Sequence, residues 1–424
     1  MKVLVIGGGG REHALVWKLA QSRHIDKIYC TPGNAGIAEM AECIEVGPDF
    51  DALIDFVKYN WIDITIVGPE EPLSRGIVDA FEKEGRKILG PTKAAAQLEW
   101  SKVFSKDFMR RHRIPTADYK VFTSYIHARD YVRMKGAPTV IKADGLAAGK
   151  GVVVASTVDE AEAAIDLIMK DHAFGAAGDK VIVEDCLVGE EASFMVFTDG
   201  TTIVPMASSQ DHKRVYDNDK GPNTGGMGAY SPAPVITDEL QQVVIDTVMR
   251  PTIEGLKAEG IKYKGVLYAG LMICKGKPYV LEFNCRLGDP ETQPVLFRLD
   301  SALVDIAMAI AEERLAEVPV VWKPESAVCV VLASEGYPGS YPKGRVISGL
   351  DTAKGRENSY VFHAGTAFDD NHAFVTNGGR VLGVTALGAD IAQARDRAYA
   401  AVKEISFEGM HYRKDIAHRA LRKT

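Results

Sequence analysis

Residues 279–292 read Tyr-Val-Leu-Glu-Phe-Asn-Cys-Arg-Leu-Gly-Asp-Pro-Glu-Thr, and Glu282, Asn284 and Arg286 fall at every second position. Side chains on a strand alternate between faces, so this spacing puts those three on one face and Phe283, Cys285 and Leu287 on the other. A carboxylate and an amide oxygen one pleat apart are hard donors suited to Mg²⁺, which keeps waters and nucleotide phosphates in its remaining positions. The arginine next along offers a planar fork for an oxyanion. An ordinary strand with a solvated polar face would show the same alternation over so few residues. Asp289 and Glu291 in the following turn bring further carboxylates to the same end, which favours a site.

A second group of chemical residues lies in Lys142-Ala-Asp-Gly-Leu-Ala-Ala-Gly-Lys-Gly151, between two β-rich runs. It is not a Walker A loop, because its glycine spacing is short and Gly151 stands where a Mg²⁺-binding Ser or Thr is needed. Flexible backbone here, including Gly149 and Gly151, can fold its N–H groups over a nucleotide, with Lys142 and Lys150 opposing phosphate charge. A solvated hairpin with incidental lysines is the plainer alternative. The segment Glu184-Asp-Cys-Leu-Val-Gly-Glu-Glu191 then follows a strand. Backbone near Leu187 could pair with adenine, and a later carboxylate could accept the ribose hydroxyls.

These groups need elements to position them. The first hundred residues alternate β-rich runs (2–6, 27–30, 62–67, 87–89) with helical patterns such as 14–20, a rhythm that predicts a parallel sheet with crossover helices. Ligands of such sheets collect beyond the carboxyl ends of the strands. Three glycine-containing loops sit there: Gly7-Gly-Gly-Gly-Arg-Glu-His13, Thr31-Pro-Gly-Asn-Ala-Gly36 and Gly68-Pro-Glu-Glu71. The first lacks the third glycine of a dinucleotide fingerprint, which argues against NAD. A smaller phosphate at the helix amino terminus, helped by Arg11, is physically reasonable. Further on, a helix is predicted over 101–112, a second unit from about 119, a polar segment over 210–234, a helix near 238–257, strands at 265–274 and 279–284, and helices at 302–313 and 391–404. The last unit, from about 325, shows short strands and no obvious catalytic cluster.

The 424 residues, 46% apolar and 25% charged, imply roughly three domains of ordinary globular composition. A net charge of −7 without a long basic run argues against a nucleic-acid surface. The opening Met1-Lys-Val-Leu-Val-Ile6 runs straight into a strand, and no apolar run approaches a membrane span; the expected location is the cytoplasm. Six scattered cysteines read as buried apolar residues in a reducing compartment.

In their order along the chain, the glycine-rich hairpin, the hinge and Glu282-x-Asn284-x-Arg286 resemble the ATP-grasp superfamily. Together with Gly221-Pro-Asn-Thr-Gly-Gly-Met-Gly-Ala-Tyr-Ser-Pro232, Ser209-Gln-Asp-His-Lys-Arg214 and the three amino-terminal loops, they are similar to the phosphoribosylamine–glycine ligase family across almost the whole chain. The resemblance implies an α/β and α+β multidomain protein: an amino-terminal α/β substrate-binding domain (1–118), an ATP-grasp lid (119–192), a central subdomain (193–324) and a small carboxy-terminal β-rich domain (325–424). It implies ATP-driven joining of glycine to 5-phosphoribosylamine in purine biosynthesis, by a monomer with at most transient contacts to other enzymes of that pathway. Lys106, Lys142, Gly149, Lys150, Gly151, Glu184, Leu187 and Glu191 fall at ATP positions. Glu282 and Asn284 fall at positions for Mg²⁺ or Mn²⁺.

Phosphoribosylamine is expected at Gly10, Arg11, Glu12, Gly33, Asn34, Gly68, Pro69 and Glu70, with Asp289 nearby. Asp211 is expected to meet the glycine ammonium, and the backbone of Gly225, Gly226 and Gly228 its carboxylate. The strand before Glu282, Tyr268-Ala-Gly-Leu-Met272, lacks the second metal carboxylate common in the superfamily; Glu191, Asp289 and Glu291 are the other oxygen sources. The expected path runs through glycyl phosphate, with Lys142, Arg286 and Asp211 as the acting residues. A bicarbonate-activating relative, an NAD-linked dehydrogenase and a non-catalytic nucleotide sensor are the rival readings.

Overall fold

The run Ile64-Thr-Ile-Val67 is buried at every residue, as a strand covered on both faces of a parallel sheet must be. It belongs to a five-stranded parallel sheet in the order Glu42–Cys43, Lys27–Pro32, Lys2–Gly7, Ile64–Val67, Ile88–Leu89. The predicted β-rich runs are all present, and the two-residue edge strand Glu42–Cys43 is an addition too short to carry a periodic signal. The helix Gly10–Leu19 starts four residues earlier than its apolar pattern suggests, directly after the glycine loop. The computed structural model describes residues 1–47, 49–145 and 151–422.

Two antiparallel four-stranded sheets follow. The lid sheet runs Tyr119–Phe122, Val181–Asp185, Thr139–Ala143, Val152–Ala155, and the central sheet runs Ile203–Pro205, Glu190–Thr198, Gly265–Cys274, Lys277–Asn284. The lid has a separate core of Ile141, Ile165, Val181 and neighbours. The central sheet instead shares cores with the amino-terminal sheet, Leu4 and Phe81 clustering with Phe194 and Leu267, and Val5 and Leu15 with Tyr268 and Val295. The rims of these two sheets are therefore held in fixed relation by buried apolar area, the dominant favourable term in folding.

The fourth sheet runs Gln210–Asp211, Gly228–Ser231, Ser326–Ala333, Arg380–Gly388, Ser359–His363. Its first two strands come from the segment expected to be merely polar. This sheet thus continues across residue 324, and the carboxy-terminal region is stitched to the chain around Asp211. Among the described residues no helix is long and apolar enough to cross a membrane.

Candidate active site

The helix Lys102–Arg111 is capped by Ser101, whose hydroxyl accepts from the Phe104 N–H at 3.2 Å. Lys102 and Lys106, four residues apart on it, share a face, and that face looks onto the lid. Lys106 Nζ reaches Glu184 Oε2 at 3.0 Å, and Lys142 Nζ, from the lid strand Thr139–Ala143, reaches the same oxygen at 3.0 Å. Lys142 also donates to the Leu281 carbonyl at 3.0 Å, which ties the lid to the strand bearing Glu282. All three side chains are buried, and Glu184 Oε1 has no hydrogen-bond partner among the described residues. Burial, opposed by Glu184, brings Lys106 down to about 8. A buried acceptor left open beside two cations suits a ligand that brings both donors and negative charge.

The strand Lys277–Asn284 places Glu282 and Asn284 as expected, with Phe283 and Cys285 in the core. The strand ends at Asn284, so Arg286 lies beyond it. Among the described residues the Glu282 carboxylate makes no hydrogen bond or ion pair. Burial works to raise its pKa, but Lys213, then Lys142 and Lys102, hold it below the usual carboxylate range. Asn284 Oδ1 accepts from Arg286 Nη2 at 3.1 Å. An ionised carboxylate and an oriented amide oxygen are donors that fit Mg²⁺. No group of three or more His, Cys, Asp or Glu side chains gathers into a metal cluster among the described residues.

Arg286 has partners on all three of its nitrogens. Nη2 pairs with Glu99 Oε1 at 2.9 Å, Nε lies 3.3 Å from Glu70 Oε2, and Nη1 donates to the Leu287 carbonyl at 3.2 Å. Glu99 also accepts from the Cys285 N–H at 2.7 Å. Burial raises the Glu99 pKa in spite of Arg286, whereas Glu70 is held low by Arg286 and Arg11 against the same burial effect. Arg11 pairs with Glu12 at 2.6 Å and donates to the Leu287 carbonyl at 3.1 Å. Glu12 accepts from the Gly9 N–H at 2.6 Å and fills the space where a Cβ on Gly68 would sit. The loops carrying Gly10, Arg11, Gly68, Pro69 and Glu70 thus meet the end of the Glu282 strand.

Asp211 is buried, and that burial raises its pKa to about 7 although Lys213 opposes the shift. Lys213 pairs with Glu191 at 3.1 Å, keeping that carboxylate low. Glu291 takes the hydroxyls of Ser193 and Tyr268 on Oε1, at 3.1 and 2.6 Å. Asp289 pairs with Arg380 at 2.9 Å and accepts from Gln293 at 2.8 Å.

Several expected positions are held by partners within the protein. The Asn34 amide donates to the carbonyls of Gly8 and His363, both at 2.9 Å, and its oxygen accepts from the Ile37 N–H; this side chain shapes its loop. Gly33 and Gly10 are glycines because Cys43 and Gln293 fill their Cβ positions, and Gly228 because Cys329 and Ile416 do. The Gly225 N–H donates to Tyr337 and the Gly226 N–H to Thr224, both at 2.9 Å. Both of these N–H groups, expected to meet the glycine carboxylate, have partners within the protein. Leu187 is half-buried between the lid and central strands, and the Gly151 carbonyl accepts from Ala143 at 2.9 Å. Gly149 and Lys150 lie outside the described residues.

Glu99, Lys102, Lys213 and Arg380 were not anticipated. The spacing of Lys102 and Lys106 was a helical signal for the second; Lys213 stood within a motif already singled out. Arg380 belongs to the carboxy-terminal unit, and its ion pair with Asp289, across 91 residues, has no local signature in the sequence.

Three family models match the chain in succession: the phosphoribosylglycinamide synthetase N domain over residues 1–99, its ATP-grasp (A) domain over 100–292 and its C domain over 327–419. The phosphoribosylamine–glycine ligase of Escherichia coli (strain K12) is 54% identical over 428 residues, covering 99% of each chain. The crystal structure of phosphoribosylamine–glycine ligase from Thermotoga maritima matches with a TM-score of 0.85 at 34% identity, over 98% of this chain and 100% of that one. The biotin carboxylase domain of the Hydrogenobacter thermophilus 2-oxoglutarate carboxylase, solved with MgADP and bicarbonate, shares the fold at a TM-score of 0.74 and 16% identity, over 97% of this chain and 91% of that one. The chain belongs to the phosphoribosylglycinamide synthetase family, built on the ATP-grasp fold.

Proposed function

We propose that this protein is a cytoplasmic carbon–nitrogen ligase that joins glycine to 5-phosphoribosylamine, cleaving ATP to ADP and phosphate and giving glycinamide ribonucleotide for purine biosynthesis. The convergence of Lys106 and Lys142 on Glu184, beside the Glu282–Asn284 strand end, carries this reading. In it ATP lies between lid and central sheet, with the two lysines turning to its phosphates, Glu184 and the chain near Leu187 facing the base, and Glu191 facing the ribose. Glu282 and Asn284 would hold Mg²⁺ or Mn²⁺, which offsets charge on the phosphates when bound. Asp211, ionised, receives the glycine ammonium. The loops of Arg11 and Glu70 take phosphoribosylamine, with Asp289 toward its amine.

A carboxylate is a poor acyl donor because its charge repels nucleophiles and oxide leaves badly. In the proposed path a glycine carboxylate oxygen attacks the γ-phosphorus and the bond to ADP breaks, with lysine charge opposing that of the transferring phosphoryl group. The amine then attacks the acyl carbonyl, the bond to phosphate breaks and the amine loses a proton. Phosphate thereby leaves with one glycine oxygen.

The test supplies freshly generated phosphoribosylamine, ¹⁸O-carboxylate glycine, ATP and Mg²⁺, and follows amide and phosphate together. Amide with labelled phosphate is expected. Phosphate without amide would leave an ATPase, unlabelled phosphate would remove glycyl phosphate, and bicarbonate replacing glycine as the required substrate would favour the bicarbonate-activating relative.

A further inference from the structure

We infer that Arg380 is a positioning residue that locks the wall carrying the acyl donor to the wall carrying the amine acceptor, so that the acyl phosphate meets the amine and not water. This inference rests on the proposed ligation. Arg380 lies on the carboxy-terminal strand Arg380–Gly388. Its Nη1 donates to the carbonyls of Gly225 and Asp289, each at 2.7 Å, and its Nη2 pairs with Asp289 Oδ2 at 2.9 Å. One planar fork therefore spans two loops that come from separate parts of the chain, a geometry an ammonium cannot reproduce.

Each loop leads to a different substrate. The 224–227 loop is laced to the segment bearing Asp211: Thr224 donates to the Lys213 carbonyl through both its N–H and its hydroxyl at 2.8 Å, and the Met227 N–H donates to the His212 carbonyl at 2.8 Å. Tyr337 accepts from the Gly225 N–H at 2.9 Å, so the carboxy-terminal region grips this loop from both sides of one residue. Gly226, at φ +112°, has no room for a Cβ because Pro290 occupies it. On the other side Asp289 faces the amino-terminal glycine loop, its carboxylate oxygens 3.7 Å from Cβ positions built on Gly9 and Gly10. Cutting the fork frees the two walls to move relative to each other while leaving Lys106, Lys142, Glu184 and Glu282 untouched.

Phosphoryl transfer needs only ATP and glycine in register; acyl transfer needs the second alignment as well, and small misplacements there are costly. When the amine is misplaced, water attacks the acyl carbonyl, the bond to phosphate breaks, and glycine and phosphate return without amide. The readout is the ratio of phosphate released to amide formed, with the KM for ATP measured alongside. In Arg380→Ala and Arg380→Lys that ratio should rise from near one to about ten or more, with the KM for ATP within about twofold of the unaltered protein. Tyr337→Phe should give a smaller rise of the same kind. Phosphate and amide falling together at an unchanged ratio would overturn the inference. Should Arg380→Ala not fold, Arg380→Lys and Tyr337→Phe decide it. Failure of the unaltered protein to form amide would instead remove the proposed reaction, so the two failures are distinguishable.

Discussion

Around Glu184 two lysines compete for a single carboxylate oxygen while the other oxygen has no partner among the described residues; around Arg286 one guanidinium is shared by Glu99, Glu70 and the Asn284 amide. The first arrangement is under-satisfied and uses compact, rotatable ammonium groups. The second is densely paired and uses a rigid fork. Buried groups without partners cost free energy, so the first region stands ready to exchange protein contacts for those of a ligand. The second gains nothing from exchange and holds a shape. On the proposed function, the lysines face the charge of the ligand and the arginine holds the loops in place.

Removing a carboxylate from the densely paired region should have the largest effect. Glu99→Ala leaves Arg286 short of a buried partner and should destabilise the fold by about 3–5 kcal/mol, measured by denaturant unfolding; a loss below about 1 kcal/mol, typical of an exposed pair, would erase the contrast. Lys142→Ala should do the opposite, lowering turnover by about 10²–10³-fold with a near-normal melting curve. Unchanged turnover would take Lys142 out of the mechanism. Glu282→Ala should shift the Mg²⁺ titration of activity by about 10–100-fold, the range seen when metal-site groups are lost, and a wild-type curve would contradict its assignment.

The smallest effect is in pH. Asp211 must be ionised to meet an ammonium, so kcat/KM for glycine should climb as pH rises through about 7. Lys106 must be protonated to meet phosphate, so kcat/KM for ATP should fall as pH rises through about 8. Asp211→Asn should lower kcat/KM for glycine and flatten only the acid limb. A flat profile for both substrates between about pH 6 and 9 would remove both assignments.

Much of this was legible in the chain. Ile64-Thr-Ile-Val67 announced a strand by being β-branched throughout, and Glu282, Asn284, Phe283 and Cys285 sorted themselves between faces because the pleat has a period of two. Backbone geometry fixes such patterns within a few residues. The 210–234 segment was misread as simply polar because Gln210–Asp211 and Gly228–Ser231 are too short for periodicity to show, and become strands only by pairing with one another and with Ser326–Ala333. That the Asn34 amide bonds to His363, 329 residues away, has no signal in the local sequence.

The sequence by itself determined which groups can do chemistry: the oxygen donors at 282 and 284, the lysines at 106 and 142, the glycine loops, and the family to which they are similar. Only the tertiary structure decided which of them are open and which are tied. Glu70 meets Arg286 across 216 residues, and Arg380 meets Gly225 across 155. Those meetings follow from how the sheets share their apolar cores, a property of the whole packed chain that no local spacing records.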